Sequence, residues 1–313
     1  MNFLYYCQDD NGKLLHAIRE KLGSAHHVFD WLADQNIPLE NIDAAIVWLP
    51  PDHFFEGLPN LTHVFALAAG VDHLLKHPGL PPHVSVVRLR DAGMGEQMAE
   101  YALLGTLLAQ RKILQFSLAQ SENQWCHEIS ADSAAGTRVG ILGAGALGCK
   151  VAERLALNNY PVTCWSRSPH TLQAPIVSMH GTTELNAFLA QSKVLICLLP
   201  LTENTQGILN SKLFEKLPTG AFLINPGRGG HLVDNDLLEA LDSGKLSGAL
   251  LDVFHEEPLV SSHPFWNHPK IIVTPHVAAK SVPDKSADQI IDSIRHVQRG
   301  DLPPGLVNRD RGY

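Results

Sequence analysis

The sequence predicts an α/β protein built on two parallel sheets, and three observations carry that prediction. Short apolar segments of strand length alternate with helical patterns along nearly the whole chain, the rhythm of parallel sheets covered by helices on both faces. The strand candidates are apolar throughout rather than alternating, as burial on both faces requires. The run Val139-Gly140-Ile141-Leu142-Gly143-Ala144-Gly145-Ala146-Leu147-Gly148 passes from an apolar strand through a GxGxxG turn straight into a helix, the signature of a βα unit that binds a nucleotide.

Taken in order, Phe3 to Cys7 reads as a strand, Lys13 to Lys21 as an amphipathic helix, and Ala44 to Leu49 and Val64 to Ala68 as further strands. Trp48 closes one of these strands and Ala69-Gly70-Val71-Asp72 follows the next, both where open α/β sheets bind ligands. Asp91 to Gly95 reads as a glycine-bearing hinge, and a single long helix is expected from Glu96 to about Gln120. Tyr101, Leu104, Leu107, Leu108 and Leu114 fall on it at helical spacing; core packing is the default reading of that stripe, a dimer interface the other. Ser121 to Thr137 is polar and irregular, with Trp125 as its expected anchor. Beyond the glycine turn, Val162–Trp165, Val194–Leu198, Ala221–Ile224, Gly248–Leu251 and Ile271–Thr274 are strand candidates. The helical segment from Pro283 to Arg299 follows the last of them and is expected to return to the N-terminal domain.

With 313 residues, 45% of them hydrophobic, the chain can bury large cores, and its length favours two domains. Its net charge of −8 gives no basic footprint for nucleic acid, so an anionic ligand needs a local positive site. The five cysteines show no CxxC spacing and read as buried thiols in a reducing compartment, with no metal site among them. The N-terminus lacks the basic and apolar regions of a signal peptide, and no apolar run reaches membrane-spanning length. A cytoplasmic protein that touches neither membrane nor nucleic acid is expected.

The glycine turn points to a dinucleotide. Gly143 permits the turn, Gly145 lets the backbone approach a pyrophosphate and Gly148 lets the helix pack closely, while the free amides of Ala146 and Leu147 at the helix start attract the anion. In NAD-selective folds an acidic side chain ends the second strand; here that strand ends in Ser166-Arg167-Ser168, where an arginine and two hydroxyls suit a 2′-phosphate. NADPH is therefore expected over NADH, which remains the weaker alternative, and a solvated surface arginine is the bland reading of Arg167. Pro200, just past the strand at Val194, joins the expected cofactor contacts.

Three loops at strand ends carry possible chemistry. In Asn225-Pro226-Gly227-Arg228-Gly229-Gly230 the guanidinium of Arg228 is a fixed fork suited to a carboxylate and an adjacent carbonyl, the rival reading being an ion pair with Asp234. In Thr274-Pro275-His276 a histidine follows a buried strand, a position suited to a general acid. In Asp252-Val253-Phe254-His255-Glu256-Glu257-Pro258 a carboxylate is available to orient that histidine, and periodicity leaves open whether Glu256 or Glu257 points inward. With 17 histidines in the chain, only this surrounding pattern singles out His276.

These motifs, in this order and spacing, resemble the D-2-hydroxyacid dehydrogenase family over the whole chain. Phe65 to Asp72, Gly93 to Tyr101 and the terminal Arg311-Gly312-Tyr313 resemble more narrowly its bacterial members that act on glyoxylate and hydroxypyruvate. The resemblance implies two Rossmann-like/flavodoxin-like domains with parallel sheets: a discontinuous substrate domain of residues 1–98 plus 281–313, and an inserted dinucleotide-binding domain of residues 99–280. It implies that Arg228 binds substrate, that Glu257 is the catalytic glutamate and that His276 is the general acid/base. It further implies that the amides of Ala69, Gly70 and Val71 hold the substrate carboxylate, that Trp48 lines the substrate pocket, and that Asp252 hydrogen-bonds the nicotinamide amide. A homodimer built on the long helix follows from the same resemblance. The expected reaction is NADPH-dependent reduction of short 2-oxo acids, glyoxylate to glycolate and hydroxypyruvate to glycerate. The alternatives are a reductase of another 2-oxo acid and a non-catalytic regulator that senses NAD(P) with the same fold.

Overall fold

A computed structural model describes residues 1–313. The chain forms two compact units, one of Met1–Met94 with Ser281–Tyr313 and one of Gly95–Lys280. No helix is long and apolar enough to cross a membrane; all five cysteines are free, but only Cys164 and Cys197, inside strands of a sheet, are buried as expected, while Cys7, Cys126 and Cys149 are partly exposed.

The first unit is a five-stranded parallel sheet of β1 (Asn2–Cys7), β2 (His27–Asp30), β3 (Ala44–Trp48), β4 (His63–Ala66) and β5 (Ser85–Arg88), in the order β2-β1-β3-β4-β5. Phe3, Leu4, Ile46 and Phe65 are fully or almost fully buried, each stabilising the fold by about 1.5–3 kcal/mol. Helix α1 (Lys13–Leu22) turns Leu14, Leu15, Ala17 and Ile18 inward, and the short helix α2 (Asp72–Leu75) follows β4. The C-terminal helix Pro283–Gln298 packs on α1, and beyond it Leu306 pairs antiparallel with Val87 at the sheet edge. The strand order reverses between β1 and β3, so Cys7 and its neighbour Trp48 end at the switch point.

The second unit begins with α3 (Met94–Gln110) and α4 (Ile113–Ser121). Its seven parallel strands are β6 (Val139–Leu142), β7 (Val162–Ser166), β8 (Val177–His180), β9 (Val194–Cys197), β10 (Ala221–Asn225), β11 (Leu246–Leu251) and β12 (Ile271–Val273). They run in the order β12-β11-β10-β9-β6-β7-β8, with α5 (Ala146–Leu157), α6 (Gly181–Gln191), α7 (Ser211–Phe214) and α8 (Asp234–Asp242) as crossovers. Both faces are apolar: Leu195, Leu223 and Leu251 pack with Phe188, Phe214 and Leu237, while Ile196, Ile224 and Leu250 pack with Ala102, Val151 and Leu155. This is the physical content of strands apolar throughout.

Three expectations need correction. The long helix is two helices, because Lys112 takes a left-handed φ of 57° and starts α4. The break has a tertiary cause: the amide of Asp132 donates to the Gln110 carbonyl (3.2 Å), and its carboxylate pairs with Lys112 (3.5 Å). Trp125 anchors nothing, being 92% exposed; the Asp132 contacts hold that loop instead. Core packing holds for Tyr101, Leu108 and Leu114, but Leu104 and Leu107 are half-exposed, as are Ile113, Phe116 and Leu118 on α4. The strands β2, β5 and β8 escaped the sequence reading because each is a short edge strand that mixes polar with apolar residues, His27 and Asp30, Ser85 and Arg88, Ser178 and His180.

Candidate active site

The glycine turn fits a dinucleotide on its own geometry. Gly143 takes a φ of +112°, and a Cβ there would come within 2.6 Å of the Leu198 carbonyl oxygen at the end of β9. The turn is thus pressed onto the sheet's switch point between β6 and β9. A Cβ on Gly148 would strike the Gly143 carbonyl, so the helix seats only with glycine. Gly145 instead faces open space, with nothing within 4 Å of its added Cβ. It precedes the N-terminus of α5, which has no side-chain cap, so the first-turn amides at Ala146 and Leu147 are available to an anion.

At the end of β7 the three expected residues differ. Arg167 and Ser168 are exposed, whereas Ser166 is buried and its hydroxyl donates to the Ser168 carbonyl at 2.8 Å. That corrects the expectation of two serine donors: Ser166 shapes the turn, and Arg167 and Ser168 present their side chains. No acidic residue stands within this Ser-Arg-Ser segment. Pro200 lies half-buried after β9, its carbonyl accepting from the Thr205 hydroxyl at 2.7 Å.

The adjacency of β10, β11 and β12 brings the three chemical loops side by side at the carboxyl edge of the sheet. After β10, the fully buried Asn225 closes a turn, its side chain accepting from Gly227 N–H (3.3 Å) and donating to the Arg228 carbonyl (3.1 Å). Arg228 itself is extended and donates from Nη1 to the Gly227 carbonyl at 2.8 Å. Gly229 lies on the backbone of Phe254 and His255 with no room for a Cβ, which locks the Arg228 loop to the one carrying Glu257. Asp234 lies 3.6 Å from His255 and 3.3 Å from His263 across the same pair of loops.

Glu257 is the inward acid. Its Oε2 lies 2.7 Å from His276 Nδ1, and its Oε1 accepts from Phe254 N–H at 2.9 Å. Partial burial alone would raise its pKa; the His276 hydrogen bond, the Phe254 amide and the charges of His276 and Arg228 outweigh that and hold it below the usual carboxylate value. An ionised Glu257 accepts only, so Nδ1 of His276 carries the proton and Nε2 is the nitrogen left to face a reactant. His276 is also backbone-strained, with a φ of +53°, a conformation worth about 1–3 kcal/mol that surrounding contacts must offset. Asp252 supplies them: fully buried, it accepts from Thr274 Oγ1 (2.6 Å), Val277 N–H (2.9 Å) and Ala278 N–H (2.9 Å), while its carbonyl accepts His276 N–H (2.8 Å). Asn225 and Thr274 were not singled out by the sequence reading, though Asn before Pro at a strand end is itself a turn signal.

In the first unit, Trp48 ends β3 half-buried with its ring edge-on to His73, centroids 5.1 Å apart, and Ala69, Gly70 and Val71 form the turn between β4 and α2.

A parallel sheet with a glycine-rich βα turn at its switch point, and an Arg, Glu and His set beside it, defines the class of nucleotide-dependent oxidoreductases. A family model for the D-isomer specific 2-hydroxyacid dehydrogenase NAD-binding domain matches residues 103–278, and the chain belongs to that family. It is thereby an NAD(P)-dependent oxidoreductase. The chain is 46% identical over 279 residues, 88% of each sequence, to glyoxylate/hydroxypyruvate reductase A of Photorhabdus laumondii. Among solved structures it is similar to a D-isomer specific 2-hydroxyacid dehydrogenase from Xanthobacter autotrophicus in complex with NADPH and MES (37% identity, TM-score 0.93, 100% of this chain and 99% of that one). It is also similar to the NADPH-dependent glyoxylate/hydroxypyruvate reductase from Sinorhizobium meliloti in complex with NADP and sulfate (35% identity, TM-score 0.90, with the same coverage).

Proposed function

We propose that this protein reduces short 2-oxo acids with NADPH, glyoxylate to glycolate and hydroxypyruvate to glycerate. The observation that carries the reading is the 2.7 Å contact of His276 Nδ1 with an ionised Glu257, beside Arg228. The names of the relatives from Photorhabdus and Sinorhizobium support the substrate class. Bound NADPH would supply the hydride to the carbonyl carbon. Gly143, Gly145, Gly148 and the amides of Ala146 and Leu147 would hold its pyrophosphate, with Arg167 and Ser168 at the 2′-phosphate and Pro200 beside the cofactor. Asp252 would present its remaining lone pair to the nicotinamide amide. The exposed Arg167, in a strand-end segment Ser166-Arg167-Ser168 that contains no acidic residue, favours NADPH, as do the nucleotides bound by the similar structures.

Arg228 binds the substrate carboxylate through its fork and stabilises negative charge as it develops on the carbonyl oxygen. His276 delivers its Nε2 proton to that oxygen, completing the hydroxyl, and Glu257 stabilises the imidazolium before the transfer and holds the ring in place after it. General acid catalysis of this kind contributes roughly a hundredfold to ten-thousandfold. For the Ala69-Gly70-Val71 turn and Trp48 of the first unit, substrate binding is proposed on the family resemblance alone. The half-exposed leucines of α3 and α4 support a homodimer, since contiguous exposed apolar side chains mark protein contacts, and the five free thiols support a reducing compartment such as the cytoplasm.

The test is to follow NADPH absorbance, with NADH in parallel, on adding glyoxylate, hydroxypyruvate and pyruvate in turn to the purified protein. Oxidation of NADPH with the first two is expected. Nucleotide binding without turnover on any 2-oxo acid would overturn the reading in favour of a regulator.

A further inference from the structure

Asp252 holds the His276 turn, and what holds Asp252 reaches into α3. Tyr101 Oη lies 2.7 Å from Thr274 Oγ1, and Thr274 Oγ1 lies 2.6 Å from Asp252 Oδ1. The direction of this chain is fixed by its end. Thr274 Oγ1 donates to Asp252 Oδ1 and has a single hydroxyl proton, so Tyr101 must donate to Thr274. Each bond polarises the next, which strengthens donation to the fully buried carboxylate. Oδ1 thereby receives Thr274 and Val277 while Oδ2 receives Ala278, and the backbone on either side of the left-handed His276 is tied down. The phenol is placed by packing. One turn along the same helix face, a Cβ on Gly105 would come within 2.6 Å of Ile224 and 2.9 Å of Leu250, so α3 lies directly on the sheet at that height. Burial, with the nearby Asp252 charge, pushes the Tyr101 phenol well above its ordinary pKa despite the opposing Thr274 contact, so it remains a donor at any working pH.

We propose that Tyr101 is a positioning residue for the reaction: through Thr274 and Asp252 it fixes the strained turn that aims His276. This rests on the reading of His276 as the proton donor. Sequence periodicity counted Tyr101 as part of an apolar stripe; its hydroxyl is the part that matters here.

The experiment compares wild type with Tyr101→Phe, Thr274→Val and Thr274→Ser in steady-state reduction of glyoxylate, and follows amide hydrogen exchange over residues 275–279 in each. Tyr101→Phe and Thr274→Val are expected to lower kcat about tenfold, a small misplacement of the donor, with KM for NADPH changed less than twofold and faster exchange confined to that segment. Thr274→Ser, which keeps the hydroxyl, is expected to retain kcat within about twofold of wild type. Wild-type kcat and unchanged exchange in Tyr101→Phe would overturn the proposal, as would a loss confined to NADPH affinity or a Thr274→Ser variant as damaged as Thr274→Val. A wild type without turnover would sink the reading of the site instead, and the exchange comparison would then still decide whether Tyr101 orders the turn. Should Tyr101→Phe fail to fold, the Thr274 pair carries the test.

Discussion

Gly229 rests on the carbonyl of Phe254 so closely that no side chain fits between them. This contact sets the spacing between Arg228, one residue before, and Glu257, three residues after. Replacing the hydrogen with a methyl forces the two loops apart. Gly229→Ala is therefore expected to lower kcat/KM for 2-oxo acids about a hundredfold or more, the cost of misaligned reacting groups. Affinity for NADPH, which the proposed function assigns chiefly to the glycine turn, is expected to stay near wild type in a fluorescence titration.

In the proposed mechanism Arg228 acts through geometry as well as charge. A lysine at the same place is a point charge on a flexible stem and cannot form two parallel bonds to a carboxylate. Arg228→Lys is expected to reduce kcat/KM by about a hundredfold to a thousandfold, the usual cost of losing a donor aimed at developing charge. Steady-state kinetics with glyoxylate check it, and near-normal turnover would remove Arg228 from its role.

Glu257 gives a pH prediction with a definite sign. Its pKa is lowered in the folded chain from an ordinary 4.5, so the unfolded chain binds more protons in the acid range. The stability it contributes is present above that ordinary value and is lost as pH falls through the lower folded one. Glu257→Gln should flatten the fall in melting temperature below about pH 5. It also weakens the acceptor that holds the imidazole ring in place, so kcat/KM for reduction falls. Glu256→Gln, on the exposed neighbour, should do neither.

Arg167 separates the two nucleotides. If its guanidinium meets the 2′-phosphate, Arg167→Ala weakens NADPH binding about tenfold to a hundredfold, as expected for one charged hydrogen-bonded contact, and leaves NADH nearly unchanged. Equal losses with both nucleotides, measured by titration, would refute the contact.

Much of the architecture was legible along the chain. Apolar runs reported buried strands, and the glycine spacing reported a turn whose Cβ collisions with Leu198 and Gly143 the structure displays. The misses have tertiary causes. Lys112 breaks a helix with neither glycine nor proline, because Asp132 reaches it from across a loop. Trp125 looked like an anchor on its size alone, and exposure of a residue depends on what the rest of the chain places against it.

What the sequence by itself determined is which residues stand at the carboxyl ends of which strands, because strand length, turn chemistry and two-sided burial are written in consecutive residues. Arg228 and His276 could therefore be singled out as candidates in advance, while strand and turn signals left Glu256 and Glu257 equal and only the family resemblance preferred Glu257. Only the tertiary structure decided that Glu257 rather than Glu256 meets the imidazole across 19 residues, that Asp252 is buried among the amides of Val277 and Ala278, and that Tyr101 reaches Thr274 across 173. Those relations depend on strand order and on how closely a helix lies on a sheet. No periodicity encodes either, because both arise from packing between segments far apart in the chain.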